Sequence, residues 1–336
     1  MIWLTWRQFR VQAWVAAVFA VAIAAALAAT APHLFDLYQS SGLADCTSNC
    51  GDLADTFVIQ AGTRLNTILY GVGTAALLLM PALVGIFWGA PMVARELETG
   101  THRLVWNQTV SRRRWILTKL IGIGLTTAVT AAVVSAVVTW WAAPLDDGRA
   151  GRISPELFSA RGVVPIGYAA LGFAAGVLIG MLLRRSIAAM AVTLLAIVLV
   201  QVAVPFFVRE HLTTPVSSST PFDPENIASL GISEDNTITV HAASPVEDAW
   251  ELSNVTLGPD GEEFEGPIDP AKCGPDAAGG KRECDRYLGT LNLTQKSTYI
   301  PADRFWSLQW RELGLLLSVT ALLGLASVWW ISRKVA

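Results

Sequence analysis

Six stretches of the 336-residue chain carry no Asp, Glu, Lys, Arg or His: residues 11–31, 65–94, 120–145, 162–183, 186–208 and 313–332. Each reaches the ~20 residues that cross ~30 Å of hydrocarbon as a helix. None shows the polar face that recurs every ~3.6 residues in a soluble amphipathic helix of that length. The pattern predicts an all-α polytopic membrane protein with six transmembrane helices. Ahead of the first run, Trp3, Trp6, Phe9, Arg7 and Arg10 fall in one short stretch. At helical spacing they predict an N-terminal amphipathic helix in the membrane interface, a reading that overlaps with an interfacial flank of span one. Ala29-Thr30-Ala31 resembles a signal-peptidase site. The apolar run nevertheless exceeds the ~7–15 residues of a signal core and reads as an uncleaved anchor.

The second run passes through Pro81, Gly85, Gly89 and Pro91. It is long enough to project beyond the bilayer, with a kink expected at Pro81. In the fourth run, Gly172, Gly176 and Gly180 form two overlapping small-xxx-small steps, a helix-packing signal. Between runs five and six, residues 209–311 are rich in Pro, Gly, Ser, Asp and Glu. There, 237–241 and 288–293 alternate like strands, and Gly258-Pro-Asp-Gly261 reads as a turn. The expectation is a small β-containing domain between spans five and six. Trp306 and Trp310 then mark the interface before the last span. The chain divides accordingly into a membrane domain over 1–208, containing an outer loop 31–66 and an inner loop 90–119, a loop domain over 209–311, and span six with its tail over 312–336.

Composition agrees with this reading. Hydrophobic residues make up 53% and charged residues 15%, with a mean hydropathy of +0.46, against ~25% charged in soluble domains. Charge also orients the chain, because Lys and Arg near span ends stay cytoplasmic. With the N-terminus inside, segments 1–12, 90–119, 184–186 and 332–336 hold twelve basic residues and two acids, a net +10. The remainder carries −13, which together give the chain's −3. Both termini are thus expected in the cytoplasm of a bacterial cell, with the protein in the plasma membrane. All four cysteines fall in outer segments, where disulfides persist. The local pairs Cys46–Cys50 and Cys273–Cys284 are the expected ones.

The chain lacks a phosphate-binding Gly-x-x-x-x-Gly-Lys-Ser/Thr loop, a His-Glu-x-x-His pair and a Gly-x-Ser-x-Gly elbow. His33, His102, His211 and His241 are scattered over both sides, so no metal site is expected, and neither is enzymatic activity or a nucleic-acid partner. Runs without ionisable residues argue against proton-coupled antiport. Transport would then draw its energy from a partner, and a neutral lining suits an amphipathic or apolar cargo.

The inner segment 93–119 is the most specific feature. Gly100 suits the end of span two, Thr101 can cap a short helix carrying Trp106, and Ser111 can cap span three. A plain positive-inside loop accounts for the arginines, but not for Glu96, Glu98 and Trp106, which suit a docking surface. Arg95-Glu96, Gly100-Thr101, Trp106-x-Gln108, Ser111-Arg112 and Trp115 together resemble the loop between spans two and three in permeases of the type-2 ABC transporter superfamily, most of all actinobacterial exporter subunits. Tyr299-x-Pro301-x-x-Arg304-Phe305-Trp306 is similar to the same group. The resemblance implies that this loop, through Arg95, Glu96, Glu98, Gly100, Thr101, Trp106, Gln108, Ser111 and Arg112, is a coupling element seated on a separate ATPase. It further implies two ATPase copies carrying ATP and Mg, and a second permease copy or a related permease. The cargo path would run between the permeases along spans two and five, where Met80, Phe87, Gln201 and Phe206 offer adaptable contacts. The competing reading is a membrane sensor or accessory protein with a ligand-binding outer domain.

Overall fold

A computed structural model describes residues 2–46, 50–100, 111–149, 151–224, 227–232, 238–242, 248–266, 269–273 and 280–333. Six of its helical stretches are long and apolar enough to cross a membrane. Span one is α1 (Ile2–Ser40). A short helix α2 (Gly51–Ala61) follows. Span two is α3 (Arg64–Val84), a π-helical turn (Gly85–Gly89) and α4 (Ala90–Glu98) in unbroken succession. Span three is α5 (Arg112–Gly148). It leads through the short α6 (Pro155–Phe158) to span four, α7 (Val164–Leu183). Span five is α8 (Ser186–Ala203), continued by a second π-helical turn (Val204–Val208).

Residues 2–12 are the first turns of α1 rather than a separate interfacial element, since the helix runs without a break. The expected loop 31–66 is largely helical too, through the end of α1 and through α2. Helix ends are capped by local chemistry. The Thr63 hydroxyl accepts from the Asn66 amide and the Ser111 hydroxyl from the Arg114 amide, so each satisfies an orphan donor of a first turn. Gly100, at φ +72°, follows the last turn of α4. Arg184, in the left-handed region at φ 54°, makes the tight turn between spans four and five.

Span four is the axis of the bundle. Two-thirds (67%) of its most apolar window is buried, against 11% for span one and 17% for spans five and six, and it packs on spans two, three, five and six. Its glycines explain how. A Cβ on Gly176 would lie 2.5 Å from the Gly85 carbonyl oxygen, and Cβ atoms on Gly172 and Gly180 would strike the carbonyls of Pro81 and Ala90. Spans two and four therefore meet backbone on backbone, and the π-turn lies within the contact.

The helices overrun the uncharged stretches, which corrects the expectation of spans free of ionisable groups. At the end remote from the chain termini, Asp146 in α5 accepts two hydrogen bonds from Arg161, at 2.6 and 3.1 Å, and a third from the Tyr70 hydroxyl at 2.6 Å. Glu312, in span six (α11, Phe305–Arg333), accepts from Arg209 at 2.7 and 3.1 Å and from Tyr168 at 2.9 Å. Both side chains of the second pair are fully buried. Between these clusters, Gln309 accepts from the amides of Val163 and Val164 and donates to the Phe158 carbonyl. The backbone entering span four thereby meets the requirement that buried polar groups be paired.

The second compact unit spans Thr213–Arg304, while the membrane unit comprises Met1–Leu212 and Phe305–Ala336. The unit is narrower than 209–311 because Arg209 is tied into the helical bundle and 305–311 are turns of α11. Its three-stranded antiparallel sheet has the order β1 (Val216–Pro221), β5 (Thr294–Ile300), β4 (Trp250–Leu257). Strands β2 (Ile227–Ile232) and β3 (Ile238–Ala242) pair separately. Residues 258–261 form the expected turn, closed by the Gly261 amide on the Gly258 carbonyl. The expected strand at 288–293 is instead the end of a helix, α10 (Gly280–Gly289), and the turn after it. Leu288 and Leu293 are buried in the unit's core, and Asn292 at φ 51° breaks any extended run before β5. Cys273, at the end of the short helix α9 (Pro270–Cys273), is bonded to Cys284 in α10, and Cys46 to Cys50.

Candidate functional site

The end of the bundle that carries α4 and the start of α5 holds Arg95, Glu96, Glu98, Gly100, Ser111 and Arg112 of the residues singled out for docking. Span two emerges as α4, whose buried Ala90, Val93 and Ala94 face the bundle while Arg95 and Glu98 are exposed. Glu96 is turned inward. It accepts from the Lys119 ammonium at 2.5 Å and from the Gln8 amide at 3.1 Å. Lys119 is 4% exposed, and its ammonium also lies 4.7 Å from the Trp115 ring centroid. Phe9 of α1 packs edge-on against Trp88 of the π-turn at 4.8 Å. One carboxylate thus joins the ends of spans one, two and three. Glu98 reaches the other way and accepts from the amide and hydroxyl of Ser186 at the start of span five.

The Glu96–Lys119 pair ties the end of α4 to the start of α5, on either side of residues 101–110. Through Glu96 and Glu98, α4 is bonded to spans one, three and five. Thr101, Trp106 and Gln108 lie outside the described residues; Arg112 opens α5. A cavity of about 460 Å³ lies beside the pair, lined by Gln8, Phe9, Phe87, Trp88, Arg95 and Lys119 among others.

The four candidate cargo contacts are not brought into one cavity. Met80 is buried in the core, whereas Phe87 and Phe206 are 55% and 64% exposed on the outside of the bundle. The Gln201 amide donates to the Leu78 carbonyl at 2.7 Å, which satisfies it within the protein and stitches span five to span two. Gly172, Gly176 and Gly180 sit at the contact between spans two and four described above.

Neither Lys119 nor the ion pairs at the other end figure among the sequence candidates. Each of these charges directly flanks or nearly flanks an apolar run: Glu96, Lys119, Asp146, Arg161, Arg209 and Glu312. Position beside a run is the signal that marks them, but it does not say which charge meets which.

Residues 17–209 match the model of a family described as ABC-2 membrane transporter related, a match that takes in most of span one, spans two to five and the segment between α4 and α5. No curated protein and no solved structure matches the chain. With six membrane-crossing helices and more than half its length inside that match, the chain belongs to the ABC-2 membrane transporter related family and is the membrane component of an ABC transporter, working with an ABC ATPase.

Proposed function

We propose that this permease moves an amphipathic or apolar small molecule outward across a bacterial plasma membrane, powered by ATPase subunits that dock on the segment between α4 and α5. The observation that supports the docking assignment is the Glu96–Lys119–Gln8 cluster, which ties the helix ends flanking that segment to span one. In this reading two permease copies and two ATPases form the complex, and ATP and Mg are held by the ATPases. The contact between permeases falls on spans two and five. Their outer faces expose Leu79, Leu83 and Phe87 on one and Leu195, Leu199 and Phe206 on the other. An apolar cargo would share that face with lipid, which agrees with the absence of charge there.

The test uses the complex purified through a tagged ATPase. Wild type should copurify, give a light-scattering mass of two permeases with two ATPases, and drive ATP-dependent uptake of an amphipathic dye into inverted vesicles. Glu96→Lys places two cations face to face, and at least a tenfold loss of dye uptake or of copurification is expected. Full uptake by that variant would remove Glu96 from the coupling path, and uptake only in right-side-out vesicles would reverse the direction.

Orientation is tested separately. Lys119 is unsuitable as an inner-side marker because burial shields it whichever side it faces. Exposed Arg10 and Asp260 are better positions. An impermeant maleimide should label Asp260→Cys in intact cells and Arg10→Cys only after permeabilisation. The opposite pattern would invert the topology.

A further inference from the structure

A second cavity, of about 660 Å³, lies between the first turns of α1 and the first four turns of α5. Its wall changes character along α5. Arg113 and Arg114 stand at its mouth with exposed side chains. One and two turns further, Leu117 and Ile121 line it, 41% and 65% exposed. Its floor is Gly122, where an added Cβ would meet nothing within 4 Å. Trp6 closes the opposite side, 53% exposed, in the position of an interfacial aromatic. The groove is therefore cationic where the span begins and apolar for the next ~12 Å toward the membrane interior, at ~1.5 Å per residue.

Among the described residues neither Arg113 nor Arg114 forms a salt bridge. Segment 99–111 contains no Asp or Glu, and Glu96 is engaged by Lys119 and Gln8. A free anion would satisfy the arginines but leave Leu117, Ile121 and the space over Gly122 against water or disordered lipid. A molecule with an anionic head and an alkyl chain satisfies both parts. Basic pockets between spans at the membrane surface bind anionic headgroups for this reason, and guanidinium groups suit phosphate through paired N–H donors.

We propose that this groove is a specific site for one anionic phospholipid of the adjoining leaflet, its phosphate on Arg113 and Arg114 and an acyl chain along Leu117 and Ile121 over Gly122. The lipid acts as a wedge that fixes the N-terminal turns of α1 against span three, on the far side of Phe9 from the Glu96–Lys119 pair. The site does not depend on which cargo the permease carries or on where the ATPase docks.

The test is native mass spectrometry of the delipidated full-length protein, titrated in detergent with dioleoylphosphatidylglycerol or dioleoylphosphatidylcholine. The first lipid retained by wild type should be phosphatidylglycerol, by at least tenfold over phosphatidylcholine. Arg113→Gln with Arg114→Gln should bring that preference below threefold, while Arg113→Lys with Arg114→Lys keeps most of it. Gly122→Trp fills the groove without meeting any protein atom within Cβ reach, and it should lower retention of that first lipid at least fivefold. Variants are compared only where size-exclusion elution and helical circular dichroism equal those of wild type, and Gly122→Trp stands alone if the charge variants fail this criterion. An unchanged preference in the glutamine pair, or unchanged retention in Gly122→Trp, overturns the proposal. Complete displacement of the lipid by millimolar inorganic phosphate or glycerol 1-phosphate also overturns it, because the site would then be one for a soluble anion.

Discussion

Gly176→Val is expected to leave no monodisperse, folded permease, and Gly176→Ala alone to lower the unfolding temperature in detergent by several degrees. The reason is that no side chain can move aside. A Cβ at 176 would meet the Gly85 carbonyl oxygen at 2.5 Å, the Ala90 nitrogen at 2.8 Å and the Gly89 Cα at 3.1 Å, all backbone atoms of span two. Overpacking in a core where side chains can shift costs ~1–3 kcal/mol. Here the whole of span two must retreat, so a cost at or above the top of that range is expected. Because span four packs on four other spans, the displacement spreads through the bundle. Gly314→Ala and Gly324→Ala provide the control. Nothing lies within 4 Å of an added Cβ at either, and alanine is favoured over glycine in a helix by ~1 kcal/mol. Both should be as stable as wild type or more so. Equal stability of Gly176→Val and Gly324→Ala would show that spans two and four do not meet at this face.

The second large effect is expected at the fully buried pair Arg209–Glu312. Arg209→Met strands a carboxylate at 0% exposure, with the Tyr168 hydroxyl as its remaining donor; Glu312→Gln strands a guanidinium against Ser159 and the Pro155 carbonyl. Removing one partner of a buried ion pair typically costs ~3–5 kcal/mol, so either variant should unfold far below wild type. Arg209→Met combined with Glu312→Leu removes both charges and should be less damaging than the sum of the singles. Coupling of ~0.5–3 kcal/mol is usual for residues in contact. Thermal unfolding of the purified proteins measures all three. Single variants within ~0.5 kcal/mol of wild type, the range of ordinary surface substitutions, would mean that water reaches this pair.

Residues 288–293 alternate like a strand, yet Leu288 and Leu293 fill a small core from a helix end and the turn after it. Over six residues, alternation does not separate an edge of sheet from a helix terminus. Glu96 reads as a docking residue because it is an acid in a basic loop, and the fold turns its side chain onto Lys119. Phe87 and Gln201 read as partners in one path, but one faces outward and the other bonds to the Leu78 carbonyl. Each difference concerns the direction in which a side chain points, which depends on helix rotation and on neighbours distant in the chain.

The sequence by itself determined the six membrane crossings and the glycine face of span four. Uninterrupted apolar length has one stable solution in hydrocarbon, where each helix satisfies its own backbone. It also placed a charged residue beside nearly every end of the apolar runs. Only the tertiary structure decided that Lys119 meets Glu96 across 23 positions, Arg161 meets Asp146 across 15, and Arg209 meets Glu312 across 103. Burying a charge at a span end requires an opposite charge at the same depth on an adjacent helix. Depth is written in the hydropathy of each run, whereas adjacency arises only when spans two, three, five and six pack around span four.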